Sequence, residues 1–221
     1  MASRFLITGT EPGVGKTMVG CALAFAFKVR ALRVGVMKPI ETGCTEQAGT
    51  LVAEDAAALV AAASSELLPA LVCQFRYRSD LAPIAAAETD GLAPPEFDRI
   101  EKAAREVIAA SDVVLIEDCG GLAAQLDFRR NFADLARSLE LEVILVTANR
   151  GRFLNNAALT LDYAARRSIP VRGFILNSLD REASATVSRD AEMLARVTGT
   201  NCLGTVRFKE PLALSIIEKL L

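Results

Sequence analysis

The chain has 221 residues, long enough for one large domain with a sizeable core, and nothing in its composition asks for a second. With 25 Lys and Arg against 27 Asp and Glu, it carries a formal charge of −2 and no long basic run, which argues against a nucleic-acid surface. No apolar run reaches the ~18 residues of a membrane span, and the start "MASRFLITG" lacks the layout of a secretory signal, so a cytoplasmic protein with small-molecule partners and no membrane contact is expected.

Histidine is absent, which removes the commonest general base and transition-metal ligand and leaves carboxylates, lysines, hydroxyls and a hard metal to carry any chemistry. The five cysteines, Cys21, Cys44, Cys73, Cys119 and Cys202, form no Cys-x-x-Cys pair and read as reduced thiols.

In chain order, short β-rich runs at 4–9, 33–38, 112–117, 142–147, 171–176 and 201–206 alternate with alanine- and leucine-rich helical stretches at 16–31, 53–63, 96–110, 131–139, 155–168 and 183–198. That alternation predicts βα units in a doubly wound, mainly parallel sheet with helices on both faces, and places function at the carboxyl ends of the strands. The segment 88–99, rich in chain breakers, is expected to be a loop before a helix near Phe97, and the tail a short helix after Pro211.

The ends of these strands carry the chemistry. After the first comes "TGTEPGVGKT", whose Gly13-Val14-Gly15-Lys16-Thr17 fits a phosphate-binding loop opening a helix: the lysine reaches β and γ phosphates and the hydroxyl ligates Mg²⁺. Thr10 stands where the first glycine of that motif is expected. The second strand ends in "MKPIETG", projecting Lys38, with Thr42 and Gly43 in a loop of free N–H groups. Asp55 opens the next helical run and suits either a first-turn charge or a ligand. Glu117 closes an apolar strand, where a charge is rare unless paired or metal-bound. Thr17, Asp55 and Glu117 together make an oxygen-only set of the kind Mg²⁺ uses. Asn177, at the end of a later strand, suits either a purine edge or a helix cap.

The chain resembles the dethiobiotin synthetases, through "TGTEPGVGKT", "KPIETG", "EDAAAL", "IEDCGG", "NFADLA", "LNNAALT" and "GFILN", in the family's order and across nearly the whole length. The resemblance implies an ATP-binding domain of the P-loop NTPase type spanning 1–221, and an ATP- and Mg²⁺-dependent ring closure of 7,8-diaminononanoate with CO₂ to dethiobiotin. It implies that Glu11, Pro12, Gly13, Val14, Gly15, Lys16, Thr17 and Asn177 contact the nucleotide, with Asn177 reading the adenine. It implies that Lys16 and Lys38 neutralise the transferring phosphate, and that Thr17, Asp55 and Glu117 hold the metal. It further implies that Thr42, Gly120 and Gly121 meet the diamine, and that Arg152 and Asn155 of a second copy hold the substrate's carboxylate, hence a homodimer.

The substrate half departs from the family pattern. Asp118 and Cys119 interrupt a usual Glu-Gly-x-Gly-Gly run, Leu122–Asp127 lacks the usual proline, and in Arg150–Asn156 the glycine is displaced, with Asn156 where a histidine is usual. Rival readings are a P-loop ATPase switch of the partitioning type, which would carry a lysine where Thr10 stands, a related amide-forming synthetase, for whose glutaminase domain the chain has no room, and a nucleotide-binding paralogue with an altered substrate.

Overall fold

Buried, β-branched runs flanked by glycine form the sheet, and the small residues between them let helices pack closely on it. The computed structural model describes residues 3–221. In chain order the strands are β1 (Ser3–Gly9), β2 (Val34–Met37), β3 (Ile40–Glu41), β4 (Thr45–Gln47), β5 (Thr50–Val52), β6 (Phe75–Arg76), β7 (Val113–Glu117), β8 (Glu142–Ala148), β9 (Val171–Asn177) and β10 (Cys202–Val206). The helices are α1 (Lys16–Lys28), α2 (Glu54–Ala63), α3 (Pro69–Val72), α4 (Pro83–Asp90), α5 (Phe97–Ala109), α6 (Phe132–Ser138), α7 (Phe153–Arg166) and α8 (Arg181–Thr198), followed by a 3₁₀ turn, Leu214–Lys219.

Six strands form one parallel sheet in the order β10-β9-β8-β1-β7-β2. From β1 the chain goes to the edge strand β2, returns to β7 beside β1 and then crosses to β8, β9 and β10 on the other side, so the loop after β1 lies at the topological switch point. Register aligns the functional ends: Ile7 faces Glu117 across β1 and β7, and Met37 faces Ile116 across β2 and β7.

Strand alternation sends Phe5, Ile7, Val36, Leu115 and Val146 to one face, where α1, α2 and the 3₁₀ turn cover them. Leu6, Val114, Ile116 and Val143 point to the other face, under α5 and α6. Leu145, Phe174 and Leu176 extend that second layer under α7 and α8. The sheet is therefore doubly wound, as its nearly continuous apolar strands predict.

One expectation changes. Segment 88–99 is a loop only from Gly91, because Pro83 starts a helix that runs to Asp90 and Gly91 ends it with φ 66°. The tail forms the short helix expected after Pro211, of the 3₁₀ kind, with Ile216 and Ile217 buried on the α1 side of the sheet. Elsewhere local chemistry agrees with the pattern: Asn131 and Asp134 form a reciprocal capping box at the start of α6, and Asp180, not Asn177, caps α8.

Phe27, fully buried on α1, stacks on Phe5 of β1 with ring centroids 6.5 Å apart. Phe27→Ala is expected to cost about 3–5 kcal/mol in urea unfolding with the denaturant slope unchanged. A loss below about 1 kcal/mol would mean that α1 does not anchor this layer.

Candidate functional site

The loop between β1 and α1 is built around glycine. A Cβ at Gly9 would come 2.9 Å from Val14 Cγ2 and 3.0 Å from Lys16 Cδ, and Gly13 and Gly15 adopt φ of 73° and 96°. Val14 is fully buried and pins the loop from inside. Helix α1 starts with no side-chain cap and no acidic residue in its first turn, so its N-terminal N–H groups and dipole are left for an anion. From the end of β9, the Asn177 amide donates to the Val14 carbonyl at 2.9 Å and packs directly beneath Gly15. One N–H of Asn177 thus holds the loop rather than waiting for a base. Glu11 pairs with Arg150 at 3.4 Å.

Beside the loop, four side chains from four elements converge. Lys38, just after β2, pairs with Glu117 Oε1 at 2.9 Å and with Asp55 Oδ2, and Thr17 Oγ1 donates to the same Glu117 oxygen at 2.7 Å. Glu117 is 1% exposed and Lys38 8%. Burial works against the Lys38 charge, but Glu117 and Asp55 outweigh it and hold its pKa above the usual lysine range. Glu117 Oε2 is buried without a hydrogen-bond partner. A buried carboxylate oxygen left open beside a hydroxyl and a second carboxylate fits a hard cation, so this donor set passes the test for Mg²⁺. No group of three or more His, Cys, Asp or Glu gathers for a metal among the described residues. A cation here would therefore need phosphate oxygens and water to complete its shell.

Asp118, the next residue, serves the other lysine. It is fully buried; Thr8 donates to Oδ2, the Gly121 N–H donates to Oδ1 at 3.3 Å, and Lys16 Nζ lies 3.8 Å from Oδ1. Burial pushes its carboxyl up to about 6 against the pull of Lys16 and Thr8. Burial also raises the Cys119 thiol, which lies 3.5 Å from Thr42 Oγ1 and is therefore no ready nucleophile.

These residues border a cavity of 700 Å³ lined by Pro12, Gly13, Gly15, Lys16, Thr17, Lys38, Thr42, Asp55, Glu117, Asp118, Cys119 and Gly120, with Asp80–Pro83 as its further wall. Gly121 does not line it and its N–H donates to Asp118, while the Gly43 N–H, expected to be free, donates to the Ser79 carbonyl at 3.1 Å. Arg152 and Asn155 are exposed at the start of α7, with Arg152 in the N-cap position, and they too lie outside the cavity of this single chain.

Pattern reading missed Glu41, whose buried carboxylate accepts the N–H groups of Asp55 and Ala56 at 3.0 and 2.9 Å and so caps α2 and fixes Asp55. It also missed Asp80–Pro83. An acidic residue two places beyond a strand-stopping proline was the available signal for Glu41.

Residues 3–214 match a family model described as an AAA domain. The ATP-dependent dethiobiotin synthetase BioD of Anaeromyxobacter dehalogenans strain 2CP-C is 35% identical over 208 residues, covering 94% of this chain and 87% of that one. The protein of the same name from strain 2CP-1 is 34% identical with the same coverage. The chain belongs to the dethiobiotin synthetase family. Among solved structures, the cell division protein FtsY of Thermotoga maritima aligns with all of this chain and 69% of its own, at a TM-score of 0.57 and 17% identity. That likeness bears on the fold alone, a parallel sheet with helices.

Lys38→Ala would leave buried Glu117 facing Asp55 without a countercharge. The variant is expected to lose about 3 kcal/mol or more of unfolding free energy, and Mg²⁺ given with a non-hydrolysable ATP analogue to recover most of the loss. Thermal melts with the analogue, with and without Mg²⁺, check this, and a melting point indifferent to Mg²⁺ in the presence of the analogue would mean that the acidic set holds no cation.

Proposed function

We propose that the chain is an ATP-dependent dethiobiotin synthetase that closes the ureido ring of dethiobiotin from 7,8-diaminononanoate and CO₂, releasing ADP and phosphate. The observation that carries the reading is the convergence of two lysines, from the phosphate loop and from the end of β2, on one cavity with an uncapped helix N-terminus. Family membership supplies the substrate class.

In this reading one substrate amine captures CO₂ as a carbamate. A carbamate oxygen attacks the γ-phosphorus of ATP and breaks its bond to ADP; the second amine then attacks the carbonyl and expels phosphate. Such chemistry asks the protein for position and charge rather than a nucleophile, which suits a chain without histidine. Glu11 to Thr17 would cradle the phosphates. Lys16 and Lys38 would neutralise charge that builds on the transferring group, where fixed cations act most strongly. Thr17, Asp55 and Glu117 would hold Mg²⁺, which supplies Lewis-acid neutralisation of the phosphate oxygens when bound. Lys38, paired with Glu117 and Asp55, would be free to meet the carbamyl phosphate once those carboxylates are otherwise neutralised. Thr42 and Gly120 would form the surface against the diamine, with Gly121 behind them held by Asp118, and Asn177 the link from the loop to the base.

Localisation in the cytoplasm and the single-domain assignment belong to the same proposal; no described helix is long and apolar enough to cross a membrane. So does a homodimer, in which Arg152 and the N–H groups near Asn155 of one copy take the substrate carboxylate of the other. What supports it is the open N-terminus of α7, uncapped and free of acidic residues, and the exposure of Leu159 one turn beyond Asn155.

Purified protein given ATP, Mg²⁺ and bicarbonate is expected to release phosphate only when the diamine is added. Hydrolysis at the same rate without the diamine would favour a nucleotide-driven switch and overturn the ligase reading.

Arg152→Ala is expected to raise KM for the diamine acid about tenfold or more while leaving KM for ATP unchanged, because a charge-assisted contact to one substrate is lost. Equal effects on both substrates, or none on either, would remove Arg152 from the site.

A further inference from the structure

The proposed reaction has no step for Asp118. Successive strand residues face opposite ways, so while Glu117 turns to Lys38, Asp118 turns to Lys16, and each lysine bordering the cavity receives a buried carboxylate. At 3.8 Å from Oδ1, Lys16 Nζ interacts with Asp118 through charge more than through a hydrogen bond, and its N–H groups stay available to another acceptor. Asp118 cannot swing away: it is fully buried, fixed by Thr8 on one oxygen and by Gly121 on the other. A permanent negative charge therefore stands behind the cation that the phosphate loop offers to an anion, and in a site shielded from water such a charge is felt strongly.

We propose that Asp118 is a positioning residue that holds Lys16 and tempers its attraction for phosphate, weakening the grip on the nucleoside diphosphate product so that it leaves between turnovers. This rests on the reading of the loop as the nucleotide site. Binding energy spent equally on substrate, transition state and product does not raise turnover, and a fixed carboxylate behind the lysine removes part of that uniform share. The same residue ties the phosphate loop to the turn at Gly120 and Gly121, so nucleotide grip and the diamine wall depend on one side chain.

The test is calorimetric titration of ADP into wild type, D118N, D118G and T8V at pH 8, where the carboxylate is ionised, with thermal melts to confirm folding. Asparagine keeps the volume and the acceptor for Gly121 but not the charge. Both Asp118 variants are expected to bind ADP about tenfold tighter or more, with kcat and KM for ATP both lowered, as slow product release requires. T8V disturbs the same buried cluster with the charge kept and is expected to stay within about twofold of wild type for ADP. Unchanged or weaker ADP binding in D118N and D118G, tightening by T8V to the same degree, or failure of both Asp118 variants to fold would each overturn the proposal. Absence of ADP binding to wild type would instead defeat the nucleotide reading on which it rests.

Discussion

A carboxylate at the closed end of a parallel sheet sets the terms for the rest of this site. Glu117 is 1% exposed, and a buried charge of that kind persists only if countercharge and hydrogen bonds surround it. Lys38 and Thr17 meet that demand, Lys38 from the end of β2 and Thr17 from the first turn of α1 beyond β1, the two strands that register puts beside β7. Asp55 completes the group from the start of α2, fixed there by the backbone hydrogen bonds that Glu41 accepts. The ammonium of Lys38 thus occupies the centre of an acidic set that a divalent cation would otherwise satisfy. A cation arriving with nucleotide phosphates would exchange for that ammonium and free it for the reacting group, with little change in the local charge balance.

The second buried carboxylate follows from the same geometry. Two adjacent acidic residues at the end of one strand must point to opposite sides, and here each finds a lysine. The pairing puts Glu117 and Lys38 on one side of the cavity and Asp118 with Lys16, at the N-terminus of α1, on the other.

Much of this was legible in the residues. Alternating apolar runs and alanine-rich stretches specify the doubly wound sheet because burial on both faces leaves strands no polar side. The phosphate loop was legible because glycines at positive φ leave a fixed trace, as did Lys38 and Glu117 because charge is conspicuous at the end of an apolar run. The partner of Asp118 was not legible, since a side-chain hydrogen bond from Thr8, 110 residues earlier, depends on β1 and β7 lying side by side. Glu41 was missed for a similar reason, as the N–H groups that donate to it lie across a loop, 14 and 15 residues on. Helix α4 was hidden by its threonine and aspartate, which read as breakers although the proline at its first position favours a start. The place of Arg152 and Asn155 needs contacts beyond one chain, which no periodicity encodes.

The central claim is that Lys38 stands in for the cation between Glu117 and Asp55 until nucleotide and metal arrive together. The most direct measurement is a crystal structure with a non-hydrolysable ATP analogue and Mg²⁺. If Lys38 does stand in for the cation, a metal would be held by Thr17, Glu117 and Asp55, with Lys38 Nζ withdrawn from Glu117 toward the γ-phosphate. Nucleotide bound with Lys38 still paired to both carboxylates, and the metal elsewhere, would contradict it.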